Sequence, residues 1–288
     1  MTPAGAAART GGPGLREGGF ALLLVLWSLA LLALIGTQVA ATGRSEALLA
    51  ANLRGAALAE AAADGAVHLA IFRLLAPEAQ RWPADGLARQ VALPGGAAGL
   101  LRIESDQGKV NPNLAPAPLL QALLLQLGAE PRAATGLAAA ILDWRSAGPR
   151  PRPGGAKEPQ YRAAGRDYAP PGRPFESLDE LGLVLGMTPP LLARLAPFLS
   201  IHQGAEPDPR FAAPPVLQAL RAAQGAEEEL PADPDSTPVV TVTAAVALPG
   251  GARFTRRAVL RLGPGGRGPG PRGRGWQVLE WGVPETGA

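Results

Sequence analysis

Several residue types that usually carry chemistry are scarce in this sequence. Its 288 residues include no cysteine, two histidines and two lysines, and the formal net charge is only +3. Without cysteine, neither a disulfide framework nor a cysteine metal site can form. So small a net charge gives no indication of nucleic-acid binding. The chain also has no Gly-x-Ser-x-Gly elbow and no phosphate-binding loop, so we predict that it is not an enzyme, although a hydrolase using only Asp and Glu stays open.

A long uncharged run near the amino terminus, from Phe20 to Ala41, is the most informative stretch. It has roughly the twenty apolar residues that a helix needs to cross about 30 Å of hydrocarbon. A helix also satisfies its own backbone hydrogen bonds in lipid. Arg9 and Arg16 precede the run, and the positive-inside tendency places them in the cytoplasm. We therefore predict a single-pass inner-membrane protein whose C-terminal domain lies in the periplasm of a bacterium with an outer membrane.

The small-residue pair Gly18-Gly19 stands before the apolar run. A secretory signal peptide has its cleavage site after the apolar region instead. The order seen here is typical of a type IV pilin-like leader, residues 1–19, cut between Gly19 and Phe20 so that the apolar helix is retained. An uncut single-pass anchor is the alternative.

Beyond the leader, the periodicity of the sequence divides the chain into regions. Apolar residues recur at helical spacing as far as Ala76, and Pro77 ends that helix. Strand patterns lie on both sides of Pro94-Gly95-Gly96 and return at Val239, and an all-helical pattern lies between these two sets. The predicted regions are 20–76 (transmembrane and amphipathic helix), 77–106 (first α+β part), 107–222 (inserted helical domain) and 223–288 (returning strands).

These regions predict an α+β fold, in which a long N-terminal helix packs on a small antiparallel sheet and a large helical insertion separates the strands. The helical insertion contains a helix-hairpin-helix-like unit. The expected strands are Arg89–Leu93, Leu100–Asp106, Val239–Leu248, Phe254–Leu262 and Trp276–Trp281. The expected helices of the insertion are Ala117–Leu127, Pro131–Trp144, one beginning at Ser177, Leu191–Leu199 and Pro215–Ala222, with an irregular segment from Arg145 to Pro174.

For several polar residues the sequence predicts local structural roles. His68 is expected to be a packed or half-exposed helix residue, not a metal ligand or a base. Asn111 and Asn113 are expected to act as turn and helix-cap residues. Ser177, followed three residues later by Glu180, has the spacing of a capping box.

The chain resembles the K-type minor pseudopilins of type II secretion systems, the general secretion pathway protein K family. The resemblance covers the chain from the leader to the last strand. It is carried by the Gly18-Gly19 junction, Phe20 to Trp27, Asp106 to Asn113, Ile141-Leu142-Asp143-Trp144, and Arg173 to Leu181. It implies a subunit at the tip of a short pseudopilus that initiates pseudopilus assembly and supports protein secretion across the outer membrane.

The resemblance also implies partners and processing. The partners are minor pseudopilins of the I and J types, other pseudopilins, the inner-membrane secretion platform and prepilin peptidase, which would cut after Gly19 and methylate Phe20. Most pilins carry glutamate at the fifth mature position, which is Leu24 here, and the K type resembles this chain in lacking it. A carboxylate in the bilayer is costly and needs a partner, and a tip subunit has no subunit above it to provide one.

No cofactor is required by this interpretation, but K-type insertions can bind calcium in an acidic loop after the Asp-Trp pair. Calcium needs about six to eight oxygen ligands, several of them carboxylates. In this loop, residues 143–158, only Asp143 and Glu158 could act as metal-ligand carboxylates, together with backbone carbonyls, and arginines and Lys157 stand where further acids would be needed. We expect a calcium-free loop held by its prolines.

A membrane-anchored DNA-binding protein of the DNA-uptake type is the alternative function, because it would also combine one membrane helix with a helix-hairpin-helix. Such modules bind phosphate through backbone amides of a Gly-apolar-Gly hairpin. Here the turn is Leu185-Gly186-Met187-Thr188-Pro189-Pro190, and its prolines remove two amides. Nucleic-acid binding is therefore not expected.

Overall fold

The computed structural model describes residues 17–204, 206–224, 238–264 and 274–284. Most of the predicted leader, with Arg9 and Arg16, lies outside the described residues. The described helices are α1 (Glu17–Leu75), α2 (Ala117–Gln126), α3 (Pro131–Arg145), α4 (Glu158–Ala163), α5 (Pro189–Leu195) and α6 (Pro214–Gln224). The strands are β1 (Asp85–Ala92), β2 (Ala98–Ser105), β3 (Val239–Ala247), β4 (Arg253–Pro264) and β5 (Arg274–Gly282).

The five strands form one antiparallel sheet in the order β1-β2-β3-β4-β5. Strands β2 and β3 are neighbours, with Ala98 opposite Ala247 and Ser105 opposite Val240. All of α2 to α6, here called the helical block, lies between these two strands in the chain. The predicted α+β architecture with a helical insertion between strands is therefore confirmed.

The chain divides into two compact units, Met1–Ala56 and Ala57–Ala288. Within the second unit, the carboxyl-terminal part of α1 packs on the sheet through small residues, because alanine side chains allow a helix axis to approach a strand closely. Alanines 59, 63, 66 and 70 are fully buried. Three of them, Ala63, Ala66 and Ala70, together with Val67 and Ile71, cover the apolar face of the sheet, which includes Leu101, Ile103, Val242, Ala244 and Leu260.

Arg256 fixes this part of α1 to strand β4. Its Nε donates to Asp64 Oδ1 and its Nη2 donates to Glu60 Oε1, both at 2.6 Å. The Arg256 side chain is only 9% exposed. Because hydrogen bonds between charged groups are stronger than neutral ones, this pair fixes the register of the helix along the sheet.

The helical block is pinned at its base by Asp106, which follows β2 and is 1% exposed. Its carboxylate accepts hydrogen bonds from Ser200 Oγ at 2.8 Å and Thr241 Oγ1 at 2.9 Å, and pairs with Lys109 Nζ at 2.7 Å. Ser200 lies between α5 and α6 in the helical block, and Thr241 lies in β3. One buried carboxylate therefore joins the segment leaving the sheet to the segment returning to it.

Several local predictions were wrong. Strand β1 begins at Asp85, not at Arg89, and the segment expected to be irregular contains α4. The expected capping box at Ser177 does not form, because the chain there makes a short 3-10 helix (Asp179–Leu183) without a side-chain cap. Glu180 Oε1 instead accepts a hydrogen bond from the backbone N–H of Glu176 at 3.0 Å. Tertiary contacts override a local capping signal in this segment.

Gly108 provides a test of how tightly the base of the helical block is packed. A Cβ at this position would lie 2.2 Å from the carbonyl carbon of Phe211, which is backbone and cannot rotate away. We expect Gly108→Val to lower the free energy of unfolding by about 1–3 kcal/mol, as overpacking does. The measurement is denaturant unfolding of the purified protein. Gly148→Val is the matched control, since nothing lies within 4 Å of its Cβ position; equal stability of the two variants would contradict the close approach.

Candidate functional site

The junction predicted for cleavage lies at the start of α1. Because α1 begins at Glu17, the Gly19-Phe20 peptide bond belongs to its first turns. From Phe20 to Gln38 the helix is long and apolar enough to cross a membrane, and none of it is buried. Phe20 is 71% exposed and Leu24 is 55% exposed. The structure thus presents both residues on an unpacked apolar helix, as a membrane anchor requires.

A second apolar window in α1, Glu46–Leu75, also passes the length and composition test for a membrane span. Of the 18-residue stretch within it that meets this test, 33% is buried. Those buried residues include Ala63, Val67 and Ile71, which cover the sheet. Burial against protein explains the apolar character of this window.

The second candidate site is built on α3, whose buried face carries Asp143 and Trp144 into the helical block. Glu130 caps the helix, since its carboxylate accepts a hydrogen bond from the backbone N–H of Ala133 at 3.1 Å. The indole of Trp144 stacks on Phe175, with ring centroids 5.9 Å apart and planes within 5°. Tyr161 of α4 packs beside Trp144 at 6.2 Å. This aromatic cluster fixes the end of α3, and with it the position of Asp143.

Tyr161 is completely buried, with no exposed surface. Its hydroxyl oxygen accepts a hydrogen bond from the backbone N–H of Leu185 at 2.9 Å. Burial raises the pKa of Tyr161 to about 12, because the phenolate would be poorly solvated there. The residue is therefore a neutral structural link between α4 and the segment before α5.

Asp143 is fully buried, and cations of the following loop surround it. Arg152 Nη1 donates to Asp143 Oδ1 at 2.9 Å, and the backbone N–H of Arg152 donates to Oδ2 at 3.0 Å. Lys157 Nζ donates to the carbonyl oxygen of Asp143 at 2.5 Å and also to that of Ser146. Burial lowers the pKa of Lys157, while the nearby Asp143 carboxylate acts in the opposite direction. The loop thus closes around one carboxylate with two cations.

The structure does not give Asp143 and Glu158 a shared partner. Glu158 is the first residue of α4, its side chain is 62% exposed, and it pairs with Arg162 at 2.5 Å. Within the described ranges, no group of three or more His, Asp or Glu side chains is arranged to hold a metal ion. Calcium prefers several carboxylate oxygens, and the oxygens around Asp143 already accept hydrogen bonds from Arg152 and Lys157. This donor set does not fit calcium.

Two asparagines have roles that sequence reasoning only partly identified. Asn111 makes the expected turn, since its Oδ1 accepts from the backbone N–H of Asn113 at 2.8 Å. It also donates from Nδ2 to the carbonyl oxygen of Gln203 at 2.5 Å. Asn113 exchanges two hydrogen bonds with the backbone of Phe175, at 2.7 and 2.9 Å. Such partners, 62 to 92 residues away, leave no signal in a single sequence.

The helix-hairpin-helix-like unit lacks the geometry of a phosphate-binding hairpin. Its first element is only the 3-10 helix Asp179–Leu183. Gly186 adopts a left-handed conformation, with φ of 93°, and Pro189 then opens α5. Because proline has no N–H, the start of α5 offers fewer amide donors to a phosphate. The DNA-binding alternative is not favoured by this turn.

Three comparisons relate the chain to known proteins. Residues 99–204 match the family model described as type II secretion system (T2SS), protein K. The chain is 36% identical over 84 residues to the type II secretion system protein K of Klebsiella pneumoniae. That stretch is 29% of this chain and only 26% of the length of the relative.

The fold is similar to that of a chain in the crystal structure of the GspK-GspI-GspJ complex from the enterotoxigenic Escherichia coli type 2 secretion system. The TM-score is 0.59 at 17% sequence identity, and the match covers 85% of this chain and 99% of that chain. At this level of sequence identity, the similarity is evidence of a shared fold only.

The buried carboxylate of Asp143 gives a direct test of the loop. Asp143→Asn keeps the shape of the side chain but removes the charge that Arg152 contacts. We expect the free energy of unfolding to fall by about 1.5–3 kcal/mol, the usual contribution of a hydrogen bond to a charged group. Denaturant unfolding measures the change. Glu158→Gln is the control, because an exposed pair contributes at most about 1 kcal/mol; a larger effect at Glu158 than at Asp143 would contradict the assignment.

Proposed function

We propose that the chain, whose residues 99–204 match the family model of type II secretion system protein K, is the minor pseudopilin at the tip of the pseudopilus. In this role it initiates pseudopilus assembly and supports protein secretion across the outer membrane. The observation that carries the proposal is the combination in one chain of the family's domain, the exposed apolar helix Phe20–Gln38 and the helix-on-sheet fold.

The proposed localisation follows from the anchor. Phe20–Gln38 would span the inner membrane once, with the amino terminus in the cytoplasm and the sheet and helical block in the periplasm. Prepilin peptidase would cut after Gly19 and methylate Phe20. The exposed apolar side chains of this helix support the proposal, because they would otherwise face water.

Leu24 supports a position at the tip. A subunit within the filament could place a carboxylate at this depth, since the amino terminus of a neighbouring subunit would neutralise it. A subunit with no neighbour above would leave that carboxylate unpaired in hydrocarbon, which is costly. Leucine, 55% exposed on α1, removes that cost, and it suits the first subunit of a filament.

The proposed partners are the I-type and J-type minor pseudopilins of the same organism, followed by other pseudopilins and the inner-membrane platform. The fold likeness to a chain of the GspK-GspI-GspJ complex supports this choice. No catalytic step is part of the proposal. His68 lies against Trp276 and Trp281, and His202 pairs with Glu280 at 3.4 Å, so both histidines have structural contacts.

Processing of the leader is the first prediction of this proposal. In cells that contain the matching peptidase, we expect the mature chain to begin at methylated Phe20, and Gly19→Val to block the cut because a branched side chain replaces the small residue before it. Intact mass and amino-terminal sequencing of the membrane-extracted protein provide the measurement. Ala30→Val, inside the apolar helix, is the control and should be processed normally. A wild-type chain that still starts at Met1 would contradict the leader assignment.

Complex formation is the second prediction. When the full chain is co-expressed with the I-type and J-type pseudopilins of its own organism, we expect the three to co-purify in detergent as one species. Size-exclusion chromatography with light scattering gives its mass. Salt-sensitive binding of the detergent-solubilised chain to duplex DNA, without any association with the two pseudopilins, would instead support the DNA-uptake alternative.

A further inference from the structure

We infer that Arg152 and Lys157 take the place of a divalent cation in the Asp143 loop, so that the loop, residues 146–158, closes without any metal ion. The K-type resemblance implies a calcium-binding loop at this point of the chain, and the donor set seen here does not fit one. The inference is independent of the tip position, because it concerns only how the helical block holds its own loop.

Both oxygens of the Asp143 carboxylate already accept a hydrogen bond from Arg152. Arg152 engages Oδ1 with its guanidinium and Oδ2 with its backbone N–H, at 2.9 and 3.0 Å. The Asp143 side chain is fully buried. A calcium ion would have to displace both bonds and still find about five further oxygens.

Lys157 occupies the carbonyl oxygens that a metal would use. Its ammonium donates to the carbonyl oxygens of Asp143 and Ser146, and the residue is 6% exposed. An ammonium has three donors and no acceptor, so it satisfies several converging oxygens as a small cation does. Unlike a metal ion, it is covalently attached to the loop that it closes.

The backbone leaves no room for an added ion beside Asp143. A Cβ built on Gly155 would lie 2.1 Å from Asp143 Oδ2. The backbone N–H of Gly155 donates to the carbonyl oxygen of Arg152 at 2.8 Å, which closes a turn over the carboxylate. Glycine at 155 is therefore required for the backbone to approach the buried oxygen.

The charges also oppose a metal. Around Asp143 one negative group already faces two positive ones, and the next carboxylate, Glu158, pairs with Arg162 at the surface. A divalent ion would add two positive charges a few ångströms from Arg152 and Lys157, in a region where burial strengthens repulsion. The cations of the chain thus already outnumber the buried carboxylate, and none of them has to be supplied by a metal ion.

The test uses the full chain in detergent and measures amide hydrogen exchange across residues 146–158 together with thermal unfolding. Adding CaCl2 or EDTA to the wild-type protein is expected to change neither the exchange nor, by more than about 1 °C, the unfolding temperature. Lys157→Met removes the ammonium and keeps approximately the length of the side chain. We expect exchange in the loop to become about tenfold faster, because two carbonyl oxygens lose a charged donor.

Arg162→Met is the matched control, since it removes an exposed cation from the same part of the chain. It should leave loop exchange unchanged. Two results would overturn the inference: a lower unfolding temperature of the wild-type protein in EDTA, or equal exchange in the Lys157→Met and Arg162→Met variants. The measurements on the wild-type protein in CaCl2 and EDTA test the inference even if the Lys157→Met variant does not fold.

Discussion

The fold depends on one topological constraint: β2 and β3 are adjacent in the sheet although the whole helical block lies between them in the chain. The chain must therefore leave the sheet after β2 and rejoin it at β3 directly beside the point where it left. Asp106 provides the bond that holds the two ends together, since its buried carboxylate contacts Ser200 and Thr241. The backbone of Val110, which pairs with that of Phe198 and Ser200, reinforces the same base. A buried carboxylate is costly unless hydrogen bonds satisfy it, and here the bond from Thr241 also closes the fold.

Above this base, the helical block has its own apolar core and its own polar links. Trp144, Tyr161 and Phe175 form its aromatic centre, and the asparagine pair Asn111 and Asn113 joins backbone segments that are distant in sequence. The sheet has a separate core, formed with the buried face of α1. Two cores joined at Asp106 explain how the chain can carry a large insertion on a small sheet without disturbing either.

Much of this architecture could be predicted from the sequence, because periodicity and turn residues are local signals. The long helix, the hairpin at Pro94-Gly95-Gly96, helices α2 and α3 and the strand pairing after Val239 all follow from such patterns. The capping box at Ser177 failed because Glu180 binds the Glu176 N–H and Trp144 instead. The short α4 was missed because proline and arginine dominate its surroundings. In the candidate site, basic residues could be noted in the loop, but the contacts of Arg152 and Lys157 with Asp143 depend on tertiary structure.

The closeness of the two ends of the helical block has a consequence for how such a chain can diversify. Since Ser105 and Val240 face each other across the sheet, the polypeptide between them behaves as a module grafted into a hairpin, and its length places no demand on the strands. A longer or shorter block would therefore leave the register of β2 against β3 unchanged, provided that its two ends still meet.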